Sequence, residues 1–215
     1  MKPIIFSTPM VQAILDGRKT QTRRVIKIED APKNWKLSVT GKYIVRTEPG
    51  DVKLPRYAAG DILWVRETWA QTWTPDSNDI GFVYKADGKP AAFPYWGNVK
   101  QCKDEVWIPS IFMPKEAARI FLRVKNVRVE RVQEITENDA KNEGVKDPYE
   151  YQSPEYYEQP NLRGFEINKS AFAGCWDSIY SKRGYGWDTN PWVWVYEFEK
   201  ISKEEAEAGK AGVMK

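Results

Sequence analysis

Apolar and polar positions change period several times along the chain, and each change marks an element. Met10, Val11, Ile14 and Leu15 recur at helical spacing on one face. Ser7 or Thr8 offers an oxygen-bearing N-cap, and Pro9 sits in the first turn, where its missing N–H costs nothing. Gly17 supplies a left-handed stop. The β-branched run Val25-Ile26-Lys27-Ile28 then reads as a strand. From the Gly60-Asp61 turn the chain enters Ile62-Leu63-Trp64-Val65-Arg66-Glu67-Thr68-Trp69, rich in residues that sheets favour. Residues 120–132 alternate over a length that predicts a central strand, or a strand pair joined near Asn126. Trp192, Trp194, Tyr196 and Phe198 share one face of a closing strand over 191–199 and are expected to point into the core.

Two further helices follow from local chemistry. Thr136 with Asp139 three residues on makes a capping box, and Gly144 ends a helix of barely two turns, with Glu143 in its last position. Ile167, Ala171, Phe172, Cys175, Trp176, Ile179 and Tyr180 trace an apolar stripe over about 166–181. Between these elements, 35–46 reads as a hairpin turning near Thr40-Gly41, and Phe82-Val83-Tyr84-Lys85 as a strand. Turn formers and aromatics crowd residues 70–118, and residues 146–165 form a tyrosine-rich loop. The tail from Lys203 is expected to fray. There is no internal repeat.

Composition narrows the function. With 215 residues and 41% hydrophobic content, the chain supports one well-buried core, so a single domain over 1–201 is expected, with insertions at about 31–58, 70–118 and 146–165 and a flexible tail over 202–215. Ten Trp and eleven Tyr exceed what a minimal core needs, and some are expected to line a binding surface as stacking platforms. A net charge of +3 does not suit a non-specific duplex binder, so any affinity for nucleic acid must come from a local patch. The absence of histidine removes Ser-His-Asp and Cys-His catalysis and most zinc chemistry. No cofactor or metal is required. Cys102 and Cys175 make no CxxC motif or disulfide framework and read as buried free thiols in a reducing compartment. The apolar run Ile4-Ile5-Phe6 is too short for a signal peptide and no window approaches a membrane span, so a cytoplasmic location is expected.

One octamer concentrates the candidate chemistry. Gly17-Arg18-Lys19-Thr20-Gln21-Thr22-Arg23-Arg24 packs four cations and two hydroxyls between the first helix and the following strand. Its Gly-x-Lys-x-x-Thr-x-Arg spacing resembles the signature of the ASCH family, a branch of the PUA-like β-barrels. The Gly60-Asp61 strand with Arg66-Glu67, the 120–145 block with its Thr-capped helix ending in Glu143, and the final strand are similar to that family too. The long aromatic insertions fall outside the resemblance.

The resemblance implies an α+β fold: a PUA-like (ASCH) β-barrel of about five to six mixed strands with short flanking helices. Family members bind RNA or modified nucleosides, and some hydrolyse N4-acylated cytidines. Their catalytic lysine, threonine and glutamate correspond here to Lys19, Thr22 and Glu143, and the final motif arginine to Arg24. Arg18, Arg23, Arg24, Trp64, Arg66 and Glu67 are the expected substrate-binding residues. Chemically, a lysine becomes a base when burial or neighbouring cations depress its pKa. Thr22 would attack or position water, and Glu143 would protonate the leaving amine. Two other readings stay open at this point. The octamer and aromatics could bind a nucleoside or single-stranded RNA without catalysis, or Lys19 and Glu143 could simply pin the turn to the second helix.

Overall fold

A computed structural model describes residues 1–28, 35–38, 44–46, 52–74, 79–88, 107–146 and 167–211. The chain is α+β. Its principal sheet has five strands of mixed direction in the order β1-β6-β9-β10-β2, from β1 (Lys2–Ile5), β6 (Ile62–Arg66), β9 (Phe121–Arg131), β10 (Trp192–Ile201) and β2 (Gln21–Val25). The expected strand number is met. The expected closed barrel is not: among the described residues β1 and β2 are the two edges of an open order. Two smaller sheets accompany it, β3 (Trp35–Leu37), β4 (Ile44–Arg46) and β5 (Val52–Lys53), and the β7 (Trp69–Thr74) and β8 (Asp79–Tyr84) hairpin. The pairing of β3 with β4 bears out the hairpin read from sequence, although its Thr40-Gly41 turn lies outside the described residues. Most of the 146–165 loop and much of 70–118 lie outside them as well.

Helix α1 (Thr8–Leu15) begins after Ser7 with proline in its first turn and buries Val11, Ala13 and Ile14. Gly17 follows at φ 76°, the left-handed conformation that glycine adopts without strain. The first strand after it differs from expectation. It starts at Gln21 rather than Val25, because β10 pairs along the whole polar stretch, from Val193↔Val25 to Glu197↔Gln21. Ladder hydrogen bonds override side-chain propensity here.

The chain divides into two compact units. One comprises Met1–Asp16, Asp61–Arg123 and Lys200–Lys215. In it β1 runs parallel to β6, and β6 antiparallel to the start of β9. Trp64, Trp69, Met113, Ala117, Ala118, Phe121, Ile201 and Ala206 form its core. The tail expected to fray is instead helix α4 (Lys203–Ala211), with Ser202 and Glu205 bonded reciprocally at its start. Ala206 is fully buried, and a Cβ on Gly209 would lie 2.5 Å from Ile62 Cδ1. Small residues let this helix close on β6.

The second unit comprises Gly17–Gly60 and Val124–Glu199. Helices α2 (Glu137–Asn142) and α3 (Ile167–Tyr180) join Val132, Ile135, Val193 and Val195 in one apolar cluster through Ala140, Phe172 and Trp176. The α3 stripe is narrower than its sequence pattern. Phe172 and Trp176, four apart, are buried, whereas Cys175 and Ile179 are exposed. No helix among the described residues is long and apolar enough to cross a membrane.

The two helices are tied by a carboxylate. Glu137 accepts from the backbone N–H of Asn168 (3.1 Å) and Lys169 (3.0 Å) and from Asn168 Nδ2 (2.8 Å), so it caps the start of α3. Burial alone would push its carboxyl upward, but these donors and the Lys141 charge outweigh it and hold the group below its usual value. A carboxylate with a folded value below its unfolded one contributes fully above the unfolded value and loses that contribution as pH falls through the folded one. Glu137→Gln is therefore expected to cost about 1 kcal/mol near neutrality and to reduce the loss of stability on acidification. Urea unfolding of both proteins at neutral and acid pH checks this; equal acid sensitivity would remove the assignment.

Candidate functional site

The octamer leaves α1 through Gly17 and runs out extended along the outer side of β10. Lys19 forms an isolated antiparallel bridge with Glu143, and the Thr20 backbone N–H donates to the Asn142 carbonyl at 2.8 Å. On the other side, Phe198 N–H donates to the Thr20 carbonyl at 2.8 Å. Arg18 adds a bond from Nη1 to the Gly144 carbonyl at 2.9 Å. Residues 124 apart in sequence are thus sewn together by backbone, which fixes where their side chains can go.

Glu143 is the C-cap of α2, followed by Gly144 at φ 81°. Its carboxylate is held by two cations from the octamer. Lys19 Nζ donates to Oε2 at 2.8 Å and to the Glu143 carbonyl at 2.8 Å. Arg23 Nη1 donates to Oε1 at 3.0 Å. The Lys19 side chain is 0% exposed and that of Glu143 5%. Burial pushes the Lys19 ammonium below its usual 10.5; Glu143 opposes this by charge and hydrogen bond, and Arg24 and Arg23 add to the lowering.

Arg23, which sequence reading assigned to substrate, faces inward with a side chain of 0% exposure. Its Nε donates to Glu130 Oε1 at 2.9 Å and its Nη1 to Gln21 Oε1 at 2.6 Å as well as to Glu143. Its Nη2 donates to Glu130 at 2.5 Å and pairs with Asp139 Oδ2 at 3.4 Å. Four of the five guanidinium N–H groups thus donate hydrogen bonds, and Asp139 adds an ion pair. Arg128 closes the network by bonding Glu130 at 3.0 Å, Asp139 at 3.1 Å and Glu197. The Asp139 carboxyl, pushed upward by burial, is held low by Gln21, Thr136 and Arg23.

Thr22 is buried but not joined to this pair by a hydrogen bond. Gln21 and Arg23 bond to each other, so alternation along β2 turns Thr22 and Arg24 to the opposite face. There Thr22 lies opposite Tyr196 and Arg24 opposite Trp194 across the ladder. Tyr196 is fully enclosed, packs edge-on to Tyr57 at 5.2 Å, and has its hydroxyl pushed up to about 12 by burial. The Arg24 charge lowers both the Lys19 ammonium and the Tyr196 hydroxyl, in each case as a smaller effect than burial.

Trp64, Arg66 and Glu67 belong to the other unit. Trp64 is a core residue, with Arg66 stacked 5.4 Å from its ring centre. Arg66 donates from Nε to the Met113 carbonyl at 3.2 Å and from Nη2 to the Ile111 carbonyl. Glu67 is 1% exposed and makes a two-pronged pair with Arg119, Nε to Oε1 at 2.9 Å and Nη2 to Oε2 at 3.0 Å. Arg119 also bonds Asp87 and lies 3.9 Å from the Tyr84 ring centre. Burial pushes the Glu67 carboxyl up, with Arg119 opposing. These three residues act within their own unit as core, clamp and buried ion pair.

Sequence reading missed Gln21, Glu130, Asp139 and Arg128 as partners of the site. A signal existed: Arg128-x-Glu130 at period 2 on one face of β9 is an acid–base pair that a strand would present together. Among the described residues no group of three or more Asp, Glu, Cys or His side chains is arranged to hold a metal ion.

No family model matches the chain, and no curated protein matches it. Among solved structures, it is similar to the crystal structure of protein EF3133 from Enterococcus faecalis V583, family-model DUF984, at 12% identity, covering 94% of this chain and 82% of that one with a TM-score of 0.39. Likeness at that level carries no argument about fold or function.

Proposed function

We propose that this protein is an ASCH-type amidohydrolase on a PUA-like framework, acting on an N-acylated pyrimidine base or nucleoside of the N4-acetylcytidine kind. The observation that carries the reading is the enclosed contact of Lys19 Nζ with Glu143 Oε2 at 2.8 Å, between residues 124 apart in the chain. Burial lowers the Lys19 ammonium against the opposing charge and hydrogen bond of Glu143, with Arg24 and Arg23 adding to the lowering, which raises the share of the neutral amine that can accept a proton. Because Thr22 is not bonded to Lys19 and its side chain leaves the strand on the other face, water is the nucleophile in this reading, and Thr22 serves by packing beside Tyr196. Water oxygen adds to the acyl carbon as Lys19 takes one of its protons. The charge that develops on the acyl oxygen falls to a backbone N–H. Lys19 then returns a proton through Glu143 to the leaving nitrogen, the C–N bond breaks, and a carboxylic acid and the free exocyclic amine result.

The runner-up reading, non-catalytic binding of a nucleoside or single-stranded RNA, loses one of its expected cations, since the guanidinium of Arg23 is wholly used inside the protein. Incubation with N4-acetylcytidine, followed by chromatography, distinguishes the two. Formation of cytidine and acetate is expected. Tryptophan quenching by nucleoside or RNA without any cytidine, even at high protein concentration, would replace the hydrolase with a binding protein.

A further inference from the structure

We propose that Arg23 is a positioning residue, which locks the rotation of the Glu143 carboxylate by holding one oxygen while Lys19 holds the other. The inference rests on the hydrolase reading for its meaning in catalysis, though not for its geometry. A carboxylate with a single partner swings about its last C–C bond. Here Oε2 is fixed at 2.8 Å by Lys19 and Oε1 at 3.0 Å by Arg23, so only one orientation satisfies both. Arg23 is itself immobilised. Glu130 receives Nε and Nη2, Gln21 receives Nη1, and Asp139 lies 3.4 Å from Nη2. Gln21 Nε2 in turn donates to Asp139 Oδ1 at 3.1 Å, and Arg128 braces both acids. Phe172 of α3 lies 5.8 Å from the guanidinium carbon. The planar fork of arginine can serve acceptors on β9, α2 and β2 together; an ammonium at the same place cannot.

The test separates this role from substrate binding and from the hydrolase reading itself. Lys19 is followed by NMR titration of its side chain in the wild type, Arg23→Lys, Glu143→Gln and the double variant. Among the described residues, the charges that act on the Lys19 ammonium include Glu143 at the end of α2 and Arg24 and Arg23 on β2. Arg23→Lys keeps the positive charge and loses the fork, so Glu143 loosens and Lys19 titrates at lower pH than in the wild type. Glu143→Gln lowers it as well, and adding Arg23→Lys to Glu143→Gln gives no further change, because the effect passes through Glu143. Independent, additive shifts would overturn the proposal whether or not the protein hydrolyses anything. Glu130→Gln, which loosens Arg23 from its far side, is expected to move Lys19 in the same direction by less and serves if Arg23→Lys does not fold. With N4-acetylcytidine, kcat of Arg23→Lys is expected to fall by about tenfold to a hundredfold, as for a reacting group displaced by about 1 Å, with KM unchanged. A raised KM at unchanged kcat would mean that Arg23 binds substrate.

Discussion

Replacing Glu143 with alanine is expected to remove about 3–5 kcal/mol of folding stability near neutral pH, the range for breaking a buried pair by deleting one partner. The Lys19 side chain, 0% exposed, would lose its carboxylate partner and keep the Glu143 backbone carbonyl. Arg23 would lose one of its acceptors but keep Glu130, Gln21 and Asp139. The loss should depend on pH in a defined direction. Lys19 in the folded state titrates below its usual 10.5 because of burial, and removing Glu143 lowers it further, so the loss is complete below the variant's value and fades as pH rises to the wild-type value. Urea unfolding of wild type and variant across neutral to alkaline pH measures both the size and the slope. A loss below about 1 kcal/mol, as for exposed ion pairs, would mean that the contact is not the enclosed one described here. Because any tight ion pair would give this stability result, it tests the site's construction rather than its chemistry.

The chemistry is tested at the other partner. Lys19→Met keeps the methylene stem and removes the amine, and Glu143 retains Arg23 at 3.0 Å, so the fold should survive with little change in stability. Hydrolysis of N4-acetylcytidine should drop by about 10²–10⁴-fold, the usual contribution of a positioned acid–base group. In the wild type, kcat/KM should rise with pH to an inflection below 10.5, since the neutral amine is the working form and burial with the two arginines favours it. Undiminished turnover in Lys19→Met, or a rate insensitive to pH through that window, would end the role of Lys19 as base and leave the pair as a structural pin.

How much of this was legible in the sequence differs by element. Helix α1 was readable because its proline, its apolar spacing and Gly17 all act within a dozen residues. So was α2, through the reciprocal Thr136–Asp139 bonds. The octamer stands out by its density of cations, but only the resemblance of its spacing to a family signature implies that Lys19 and Thr22 work with the distant Glu143. What the pattern did not contain was direction. The sequence places Arg23 and Arg24 side by side with equal claims on a ligand; pairing with β10 decides that Arg23 turns toward Glu143 and Arg24 toward Trp194. β1 was too short to read as a strand, since four residues with two isoleucines become one only beside β6. The α4 helix was hidden by low hydropathy: among the described residues, it holds to its unit through a fully buried alanine and a glycine close to Ile62.

The Lys19–Glu143 contact closes a loop of 124 residues. Contacts so distant along a polymer form slowly, because the entropy of closing the loop must be met before they return anything. A nascent chain therefore exposes the octamer's four cations long before the α2 glutamate has been synthesised. During that interval the octamer is a polycation in water, open to any polyanion nearby. The enclosed pair arrives only with late assembly, so a variant that slows the meeting of β2 with β10 would lengthen the period of indiscriminate stickiness without altering the finished molecule.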